Sequence, residues 1–388
     1  MTYTRRQALA TISSAGALGL AGCFESGGAD GGDGGDGGDG GGGSNSPTDD
    51  DSGASPTPKD TVKAAYVYAE PLSDSGFYHR HEVGRQAVTE KFDWLETTKV
   101  EDVAASEATD VFNDLVNQGY DIIEGTTFDY GPACVQVGKE NPDVYLESVR
   151  VSRVEDSPKN VGQYVGNIAE ARYLSGVAAG MMTETNTLGF VVAFPIPVLY
   201  GEINAMMLGA KSVNPDVTME VRTINTWFDP TKEQQAAEAL ISEGADVLAD
   251  HQSSPAVTRT AANNDVMSVG YADTLADVGG EEYITSCVWN WEPFYEATAM
   301  AAKEGRLMDK SRFEFPEQRL NFYGLEKEGI LLDEWGPNVP QDVKDEVAST
   351  EEAVISGETE IWAGTKWESM NKYERNTTMG EYIDGVQS

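Results

Sequence analysis

Short apolar runs alternate with longer amphipathic segments from Val62 onward. Such alternation is typical of α/β proteins, in which helices cross between parallel strands. Two stretches, 115–123 and 240–248, nearly repeat each other at an offset of 125 residues, and each has the pattern of a helix end, a glycine and a buried strand. The same offset aligns the runs 63–69 and 188–194. The pattern therefore predicts two similar halves, each built on its own parallel sheet.

Residues 1–23 have a different character. Arg5 and Arg6 are their only charges, and the apolar run that follows, 8–21, is shorter than the roughly 20 residues that span a bilayer. A basic start, an apolar stretch and small residues before a cysteine predict an export signal, and the paired arginines are typical of the twin-arginine type. The sequence Leu-Ala-Gly-Cys at 20–23 resembles a lipobox, so we expect a lipid on Cys23. The alternative is an ordinary thiol in a cleaved peptide.

Residues 24–60 hold 13 glycines, with Asp-Gly-Gly repeated between Asp30 and Gly40. Glycine-rich sequence behaves as a flexible coil and cannot bury a core. Repeated aspartates also occur in calcium-binding β-rolls, but those need interleaved apolar residues, which this stretch lacks. We therefore expect a flexible tether whose root-mean-square span is about 30–35 Å.

The charge balance is 65 acidic against 27 basic residues, a net of −38, of which −32 remains on the folded part once the signal and the tether are removed. Such a chain is repelled by nucleic acid and by anionic lipid surfaces, which excludes both as electrostatic partners. A folded protein this acidic repels itself at low salt, whereas salt at about 1 M shortens the screening length to about 3 Å. We therefore expect a protein adapted to high salt.

Ligands of open parallel sheets bind beyond the carboxyl ends of the strands. The segments that follow the predicted strands are rich in aromatic side chains and carboxylates, and two lobes that face each other across such loops form a cleft for a small molecule. The candidate ligand-binding residues selected by this rule are Asp74, Phe77, Phe128, Phe194, Trp227, Asp250, His251 and Asp273.

Two of these aromatics lie on loops of opposite halves. Phe77 and Trp227 can sandwich a planar ring, with about 0.5–1.5 kcal/mol per stacked pair beyond burial; the alternative is that each caps the core of its own lobe. Asp250 and Asp273 can accept hydrogen bonds from ring N–H groups or ribose hydroxyls; the alternative is that they are solvated acids. Asp74 can instead cap a helix N-terminus.

The residues needed for catalysis or metal binding do not form a recognisable set. No nucleophile motif accompanies His251, and His79 and His81 lie two apart near a predicted helix start, so they point in different directions. No phosphate-binding loop or dinucleotide fingerprint occurs. Cys134 and Cys287 are expected to be small core residues. We therefore expect neither an enzyme nor a bound metal or cofactor.

Several motifs make the chain similar to a known family. They are Asp-Ser-Gly-Phe at 74–77, Phe-Pro-Ile-Pro at 194–197, Asn-Thr-Trp-Phe-Asp-Pro at 225–230, Asp-His-Gln-Ser-Ser-Pro at 250–255, Asn-Trp-Glu-Pro-Phe-Tyr at 290–295 and Tyr-Gly at 323–324. From Val62 onward the chain resembles the basic membrane protein family, which comprises the substrate-binding lipoproteins of ABC importers for purine nucleosides and related compounds. The closest resemblance is to a subgroup associated with purine bases.

This resemblance implies a type I periplasmic-binding-protein fold, with two doubly wound parallel-sheet lobes joined by a hinge of three crossovers. We expect lobe 1 over 61–185 with part of about 275–320, and lobe 2 over 186–274 with part of about 320–388. The implied partners are a small-molecule ligand and ABC permease subunits, with the protein held at the outer face of the cell membrane by the lipid.

The resemblance also bears on the ligand. It adds Trp291 to the candidate ligand-binding residues, gives Phe77 the stacking position of lobe 1, and places Asp273 where an acid meets the ligand's sugar. Nucleoside-binding members carry a lysine where this chain has Trp289, which favours a free base or another flat ring. The alternatives are a sensory or binding lipoprotein of the same fold for another small ligand, or a lipid-anchored nucleoside hydrolase.

The dependence of stability on salt tests the interpretation of the charge. On transfer from concentrated salt to low salt, the midpoint of thermal unfolding should fall, because repulsion among the acidic side chains is no longer screened. Differential scanning calorimetry at constant pH measures the midpoint. An equal midpoint in both solutions would contradict adaptation to high salt.

Overall fold

The structure, a computed structural model, describes residues 2–3, 58–149 and 157–388. The predicted signal peptide therefore lies outside the described residues apart from Thr2–Tyr3, which forms a two-residue strand, β1. The tether as far as residue 57 and the lipidation candidate Cys23 also lie outside them. Within the described ranges, no helix is long and apolar enough to cross a membrane.

Two sheets organise the described residues, and each has seven strands. In the first sheet every neighbouring pair is parallel, and the spatial order is β1-β3-β2-β4-β5-β6-β12. Its strands after β1 are β2 (Val62–Val67), β3 (Leu95–Val100), β4 (Ile122–Gly125), β5 (Tyr145–Val149), β6 (Val161–Gly166) and β12 (Leu320–Tyr323).

The second sheet has the order β13-β11-β10-β9-β7-β8-β14 and is parallel except where β13 pairs with β11. Its strands are β7 (Thr187–Val192), β8 (Thr218–Thr223), β9 (Val247–His251), β10 (Met267–Ala272), β11 (Tyr283–Trp289), β13 (Ile330–Leu332) and β14 (Val386–Gln387). The central strands are buried on both faces, as a parallel sheet covered by helices requires.

Helices cover both faces of each sheet. They are α1 (Phe77–Lys91), α2 (Ala108–Asn117), α3 (Gly131–Glu140), α4 (Ile168–Met182), α5 (Pro197–Val213), α6 (Pro230–Ser242), α7 (Ala256–Asn263), α8 (Ala276–Gly279), α9 (Glu292–Lys303), α10 (Gln341–Ser356) and α11 (Lys372–Thr378). The predicted fold class, two doubly wound lobes with parallel sheets, is confirmed.

The internal repeat is visible in the element boundaries. Strands β2 and β7 begin at Val62 and Thr187, and β4 and β9 begin at Ile122 and Val247, so both pairs keep the offset of 125 residues. The glycines that end α2 and α6, Gly119 and Gly244, have positive φ angles of 82° and 102°. Each half therefore repeats the same helix end, left-handed glycine and buried strand, as the sequence predicts.

The chain passes between the lobes three times. It leaves the first sheet after β6, returns after β11 to form α9, which packs on α1, and leaves again after β12 to form β13. The predicted boundary at 185 differs from this path, because α4 already packs on α5 and β11 of the second lobe. Nearly every side chain of α4 is buried, so its apolar pattern carries no signal of which sheet it covers.

The C-terminal segment contacts both lobes. Strand β14 extends the second sheet beside β8, and Asn204 of α5 bonds the backbone of Glu381 and Ile383 at 3.0 Å each. Toward the first lobe, Lys372 forms an ion pair with Glu314. These contacts make residues 372–388 a connection between the lobes in addition to the three crossovers.

Helices α4 and α5 pack closely against each other, with a glycine of each helix at the contact. A Cβ on Gly209 would lie 1.9 Å from the carbonyl oxygen of Tyr173, and one on Gly176 would lie 2.0 Å from that of Met206. Gly201, also in α5, has open space around its Cβ position, with the nearest atom 4.0 Å away. The two helices can therefore pack at this distance only because Gly176 and Gly209 lack side chains.

Substitution of these glycines tests the packing. Gly209→Ala should lower the free energy of unfolding by about 1–3 kcal/mol, because the added methyl group forces the helices apart. Gly201→Ala is the matched control and should leave stability unchanged or raise it by up to about 1 kcal/mol. Denaturant titration in concentrated salt measures both changes, and equal stability of the two variants would contradict the close approach.

Candidate functional site

The strand order places the ends of four strands around one crevice. In each sheet the first strand of the repeat lies centrally: β2 lies between β3 and β4, and β7 lies between β8 and β9. The strand order in each half is therefore 2-1-3-4-5. Its switch point, where doubly wound proteins bind ligands, lies between β2 and β4 in the first sheet and between β7 and β9 in the second. Phe77 and Phe128 follow β2 and β4, and Phe194 and His251 lie at the ends of β7 and β9. The predicted residues therefore surround the two switch points.

Aromatic rings from both lobes meet at this crevice. Phe128 of the first lobe lies 6.3 Å from Trp227 of the second lobe, measured between ring centroids, and Trp227 also contacts Phe194 at 5.1 Å. Phe77 of the first lobe lies 6.2 Å from Trp289, at right angles to it. Phe77 and Trp227, the predicted sandwich, are thus both half-buried at the interlobe surface, each beside a ring of the opposite lobe.

A buried stack supports Phe77 from behind. The imidazole of His81 stacks on the indole of Trp291 at 4.1 Å with an interplanar angle of 6°, and Phe77 contacts both rings edge-on. His81 is fully buried, and burial lowers its pKa well below the usual value, so the ring is neutral. Trp291 is also fully buried, so in this arrangement it supports the cleft wall from within lobe 1. His79 and His81 point in different directions, as predicted.

One carboxylate connects the two lobes directly. Asp273, at the end of β10, is 1% exposed, and its Oδ2 accepts a hydrogen bond from the backbone N–H of Gly76 at 3.0 Å and lies 2.5 Å from Nδ1 of His79. Arg80 lies 3.8 Å from Oδ1, and its Nε donates to the carbonyl oxygen of Trp289 at 2.8 Å. The N-terminus of α1 therefore holds the carboxylate, and the lobes are closed on each other.

A second network, of mostly buried groups, forms part of the wall of the second lobe. His251 contacts the Tyr271 hydroxyl through Nε2 at 2.7 Å and Oε2 of Glu202 through Nδ1 at 2.9 Å, so protein groups engage both ring nitrogens. Glu202 in turn bonds Nε of Arg172 at 3.3 Å. Tyr271 also accepts the indole N–H of Trp289 at 3.2 Å. The imidazole therefore orients neighbouring rings.

Asp250 is buried next to this network. Its Oδ1 accepts the backbone N–H of Gln252 at 3.1 Å, whereas its Oδ2 has no partner. Burial raises the pKa of Asp250 to about 8, and the nearby Arg172 opposes that shift. A carboxyl group with this pKa can donate a hydrogen bond at neutral pH as well as accept one.

The loop that carries Trp227 is held by residues after β9. The N–H of Ser253 donates to the carbonyl oxygen of Trp227 at 2.9 Å. With its amide nitrogen toward the same loop, Gln252 donates to the carbonyl oxygens of Thr226 and Trp227 at 3.1 Å, and its oxygen accepts the N–H of Ala193 at 2.9 Å. These bonds fix the backbone under Trp227 and join three loops of the second lobe.

Asp74 lies apart from the other candidates, because it is exposed on the loop after β2. The alternative that it caps α1 is wrong: the N-cap residue is Gly76, with a φ of 100°, and no side chain caps this helix. Cys134 and Cys287 are buried and form no disulfide with each other, as predicted. Among the described residues no group of His, Cys, Asp and Glu side chains is arranged to hold a metal.

Glu202 and His79 are among the site residues that the sequence did not single out. Glu202 has a recognisable signal, because it is an acid within the apolar helix α5 and is buried there. His79 has none, because its partner Asp273 lies 194 positions away in the chain and meets it only when the lobes close.

Comparison with known proteins agrees with this architecture. Solved structures share the fold, for example the solute-binding protein of an ABC transporter system from Conexibacter woesei, with a TM-score of 0.63 and 21% identity over 77% of this chain and 98% of that one. The molecule thus has the two-lobed fold of these structures. It belongs to the PnrA-like (Bmp) family of ABC transporter substrate-binding proteins, whose family model matches residues 61–363.

Curated relatives carry two different ligand names. The chain is 42% identical to a putative ABC transporter glucose-binding protein of Haloferax volcanii over 86% of this chain and 83% of the relative. It is 31% identical to a purine-binding protein of Brucella abortus over 84% of this chain and 93% of that relative. The family and both relatives are named as binding proteins, and binding proteins of ABC importers act outside the cytoplasm with permease partners.

Removal of the interlobe carboxylate tests its role in closure. Asp273→Asn should widen the molecule, because the amide carries no charge to pair with Arg80 and loses the carboxylate contact with Nδ1 of His79 at the end of α1. Small-angle X-ray scattering should record a larger radius of gyration than for the unsubstituted protein. Asp246→Asn is the control, since the Asp246 carboxylate bonds the Thr183 hydroxyl and the backbone N–H groups of Glu184 and Thr185 and none of these groups belongs to α1. An unchanged radius for Asp273→Asn would contradict the closing role.

Proposed function

We propose that this protein captures a purine base or nucleoside between its lobes and delivers it to the permease of an ABC importer. The lobes close on the ligand by hinge bending, and the ligand adds contacts that exist only in the closed state. Aromatic rings contributed by both lobes to one crevice carry this proposal. Flat ring faces on opposite walls suit a planar heterocycle, which stacks with both.

The proposed ligand contacts are the residues around the switch points. Phe77 and Trp227 stack on the ring, Phe128 and Phe194 flank Trp227, and Asp250 bonds a polar edge of the heterocycle. The remaining proposed members of the site are Asp74, His251, Asp273 and Trp291. The buried members hold the stacking rings in place, as the contacts of His251 with Tyr271 and of Trp291 with His81 and Trp289 support.

A hexose is the second candidate, favoured by the name of the Haloferax relative. Aromatic faces also stack on sugars, and Asp250 with its unpartnered oxygen is a possible acceptor for a hydroxyl. Against it, the paired ring nitrogens of His251 leave that side chain without capacity for sugar hydroxyls. The proposal of a purine ligand agrees with the name of the Brucella relative.

The proposal extends to the location of the protein. We infer a twin-arginine lipoprotein signal, a lipid on Cys23 and a flexible tether that holds the receptor at the outer face of the membrane. The acidic surface suits a protein that works in concentrated salt, and a relative from Haloferax agrees with this inference. We also infer that the protein binds without catalysis.

Substitution of the stacking rings tests the function. Phe77→Ala and Trp227→Ala should each weaken adenine binding at least tenfold, or about 1.4 kcal/mol, in isothermal titration calorimetry in concentrated salt. Phe228→Ala is the matched control, because Phe228 adjoins Trp227 but is 57% exposed, and it should leave affinity unchanged. Unchanged affinity in both test variants would contradict the sandwich.

The same titrations distinguish the candidate functions. Tight binding of glucose without binding of adenine, adenosine or guanosine would replace the purine proposal with the hexose. Release of free base from adenosine by the purified protein would favour the hydrolase alternative. Mass spectrometry of the ligand that copurifies identifies the compound directly.

A further inference from the structure

Six rings form a continuous row along the interlobe surface, which we call the aromatic row. Neighbouring centroids are separated by 6.3, 5.8, 3.9, 6.3 and 6.2 Å. In order, the row is Phe128, Trp227, His251, Tyr271, Trp289 and Phe77. The two end residues belong to the first lobe and the middle four to the second, so the second-lobe rings contact the first lobe at both ends of the row.

Four members of the row carry polar atoms, and those of three of them, His251, Tyr271 and Trp289, bond each other; we call these three rings the centre of the row. The indole N–H of Trp289 donates to the hydroxyl oxygen of Tyr271 at 3.2 Å, and the hydroxyl lies 2.7 Å from Nε2 of His251. The carboxylate of Glu202 accepts at Nδ1, which leaves Nε2 to accept the proton of the Tyr271 hydroxyl, whose pKa is raised by burial. The proton of the imidazole then lies on Nδ1 and is donated to Glu202 at 2.9 Å. Every N–H and O–H of the row's centre is thus directed at another protein atom.

The far end of this chain of bonds is fixed. Glu202 is 1% exposed and bonds Nε of Arg172, whose guanidinium lies over the rings of Phe190 and Tyr271 at 5.1 and 5.4 Å. Arg172 also donates to the backbone oxygen of Asp250. Because a buried ion pair loses much when one member is displaced, the acceptor for His251 cannot turn toward the crevice to meet a ligand.

We propose that Tyr271 is a specificity-determining residue that selects a free nucleobase over hydroxyl-rich solutes. Its hydroxyl pairs with the indole N–H of Trp289 and with Nε2 of His251, so these donors and acceptors at the centre of the row are paired with each other and not with a ligand. This inference rests on the proposed function. A base presents a ring face that needs no hydrogen bond from the row. A hexose, or the ribose of a nucleoside, would leave hydroxyl groups unpaired against ring faces, which disfavours its binding.

The test compares two variants that each lose one buried hydroxyl. Tyr271→Phe keeps the ring but frees the indole N–H of Trp289 and Nε2 of His251 for a ligand. Tyr283→Phe is the matched control: its hydroxyl bonds Ser286 and Asp333 at 2.6 Å each, in the same sheet but outside the row. Calorimetric dissociation constants for adenine, adenosine and glucose, measured in concentrated salt, give the selectivity of each protein.

The unsubstituted protein should bind adenine more tightly than adenosine or glucose. In Tyr271→Phe the preference for adenine over adenosine and glucose should fall about tenfold, since a single hydrogen bond gained or lost accounts for a change of this size. Tyr283→Phe should keep the preference. If the role of Tyr271 were purely structural, the substitution would weaken the binding of all three ligands equally and leave the ratios of their dissociation constants unchanged. These ratios therefore distinguish the two roles.

Two outcomes would overturn the inference, and they are distinguishable. Adenine binding by the unsubstituted protein with an unchanged ratio in Tyr271→Phe would refute the role of Tyr271 and leave the purine function standing. Binding of glucose but not adenine by the unsubstituted protein would refute the function and the inference with it. If Tyr271→Phe does not fold, Trp289→Phe takes its place: it leaves a lone pair of the Tyr271 hydroxyl free, so the preference should fall in the same direction.

Discussion

The buried carboxylate of Asp273 joins two lobes that share no sheet. A charge at 1% exposure needs compensation close by, and here the end of α1 supplies a backbone N–H, an imidazole and a guanidinium. These groups come from the other lobe, so the carboxylate is fully partnered only when the lobes meet. The positions of Phe77 and Trp289 opposite each other follow from that contact, since Arg80 also bonds the backbone of Trp289.

The surface of the protein is acidic, whereas the crevice is aromatic, and the two serve different purposes. Of the net charge of −38, −32 is spread over the folded body and describes the solvent that the protein tolerates. The crevice is instead built from rings, with its polar atoms paired among themselves. A family that includes relatives named for glucose and for purine can therefore keep one scaffold and change ligands through a few atoms at the strand ends.

Much of the architecture could be predicted because the internal repeat shows itself in short stretches of sequence. The left-handed glycines Gly119 and Gly244 and the buried strands after them recur at one offset, and the rule that ligands bind beyond strand ends then selects Phe77, Phe128 and Trp227. The lobe boundary was missed because α4 is apolar on nearly every side. Its partner is chosen by Gly176 and Gly209, which permit a close approach to α5 that no periodicity reveals.

The sequence by itself determined the class of fold, the repeat, the acidic character and the set of loops that surround the crevice, because each depends on neighbours in the chain or on composition. Only the tertiary structure decided which side chains face a ligand and which hold others in place. The side chains of His251 and Trp291 could each contact a ligand if they were exposed. In the folded protein, Tyr271 and Glu202 engage both ring nitrogens of His251, and the rings of His81 and Trp289 stack on Trp291. Apart from Trp289, those partners lie at least 20 positions away in the chain, and burial against them is a property of the folded molecule.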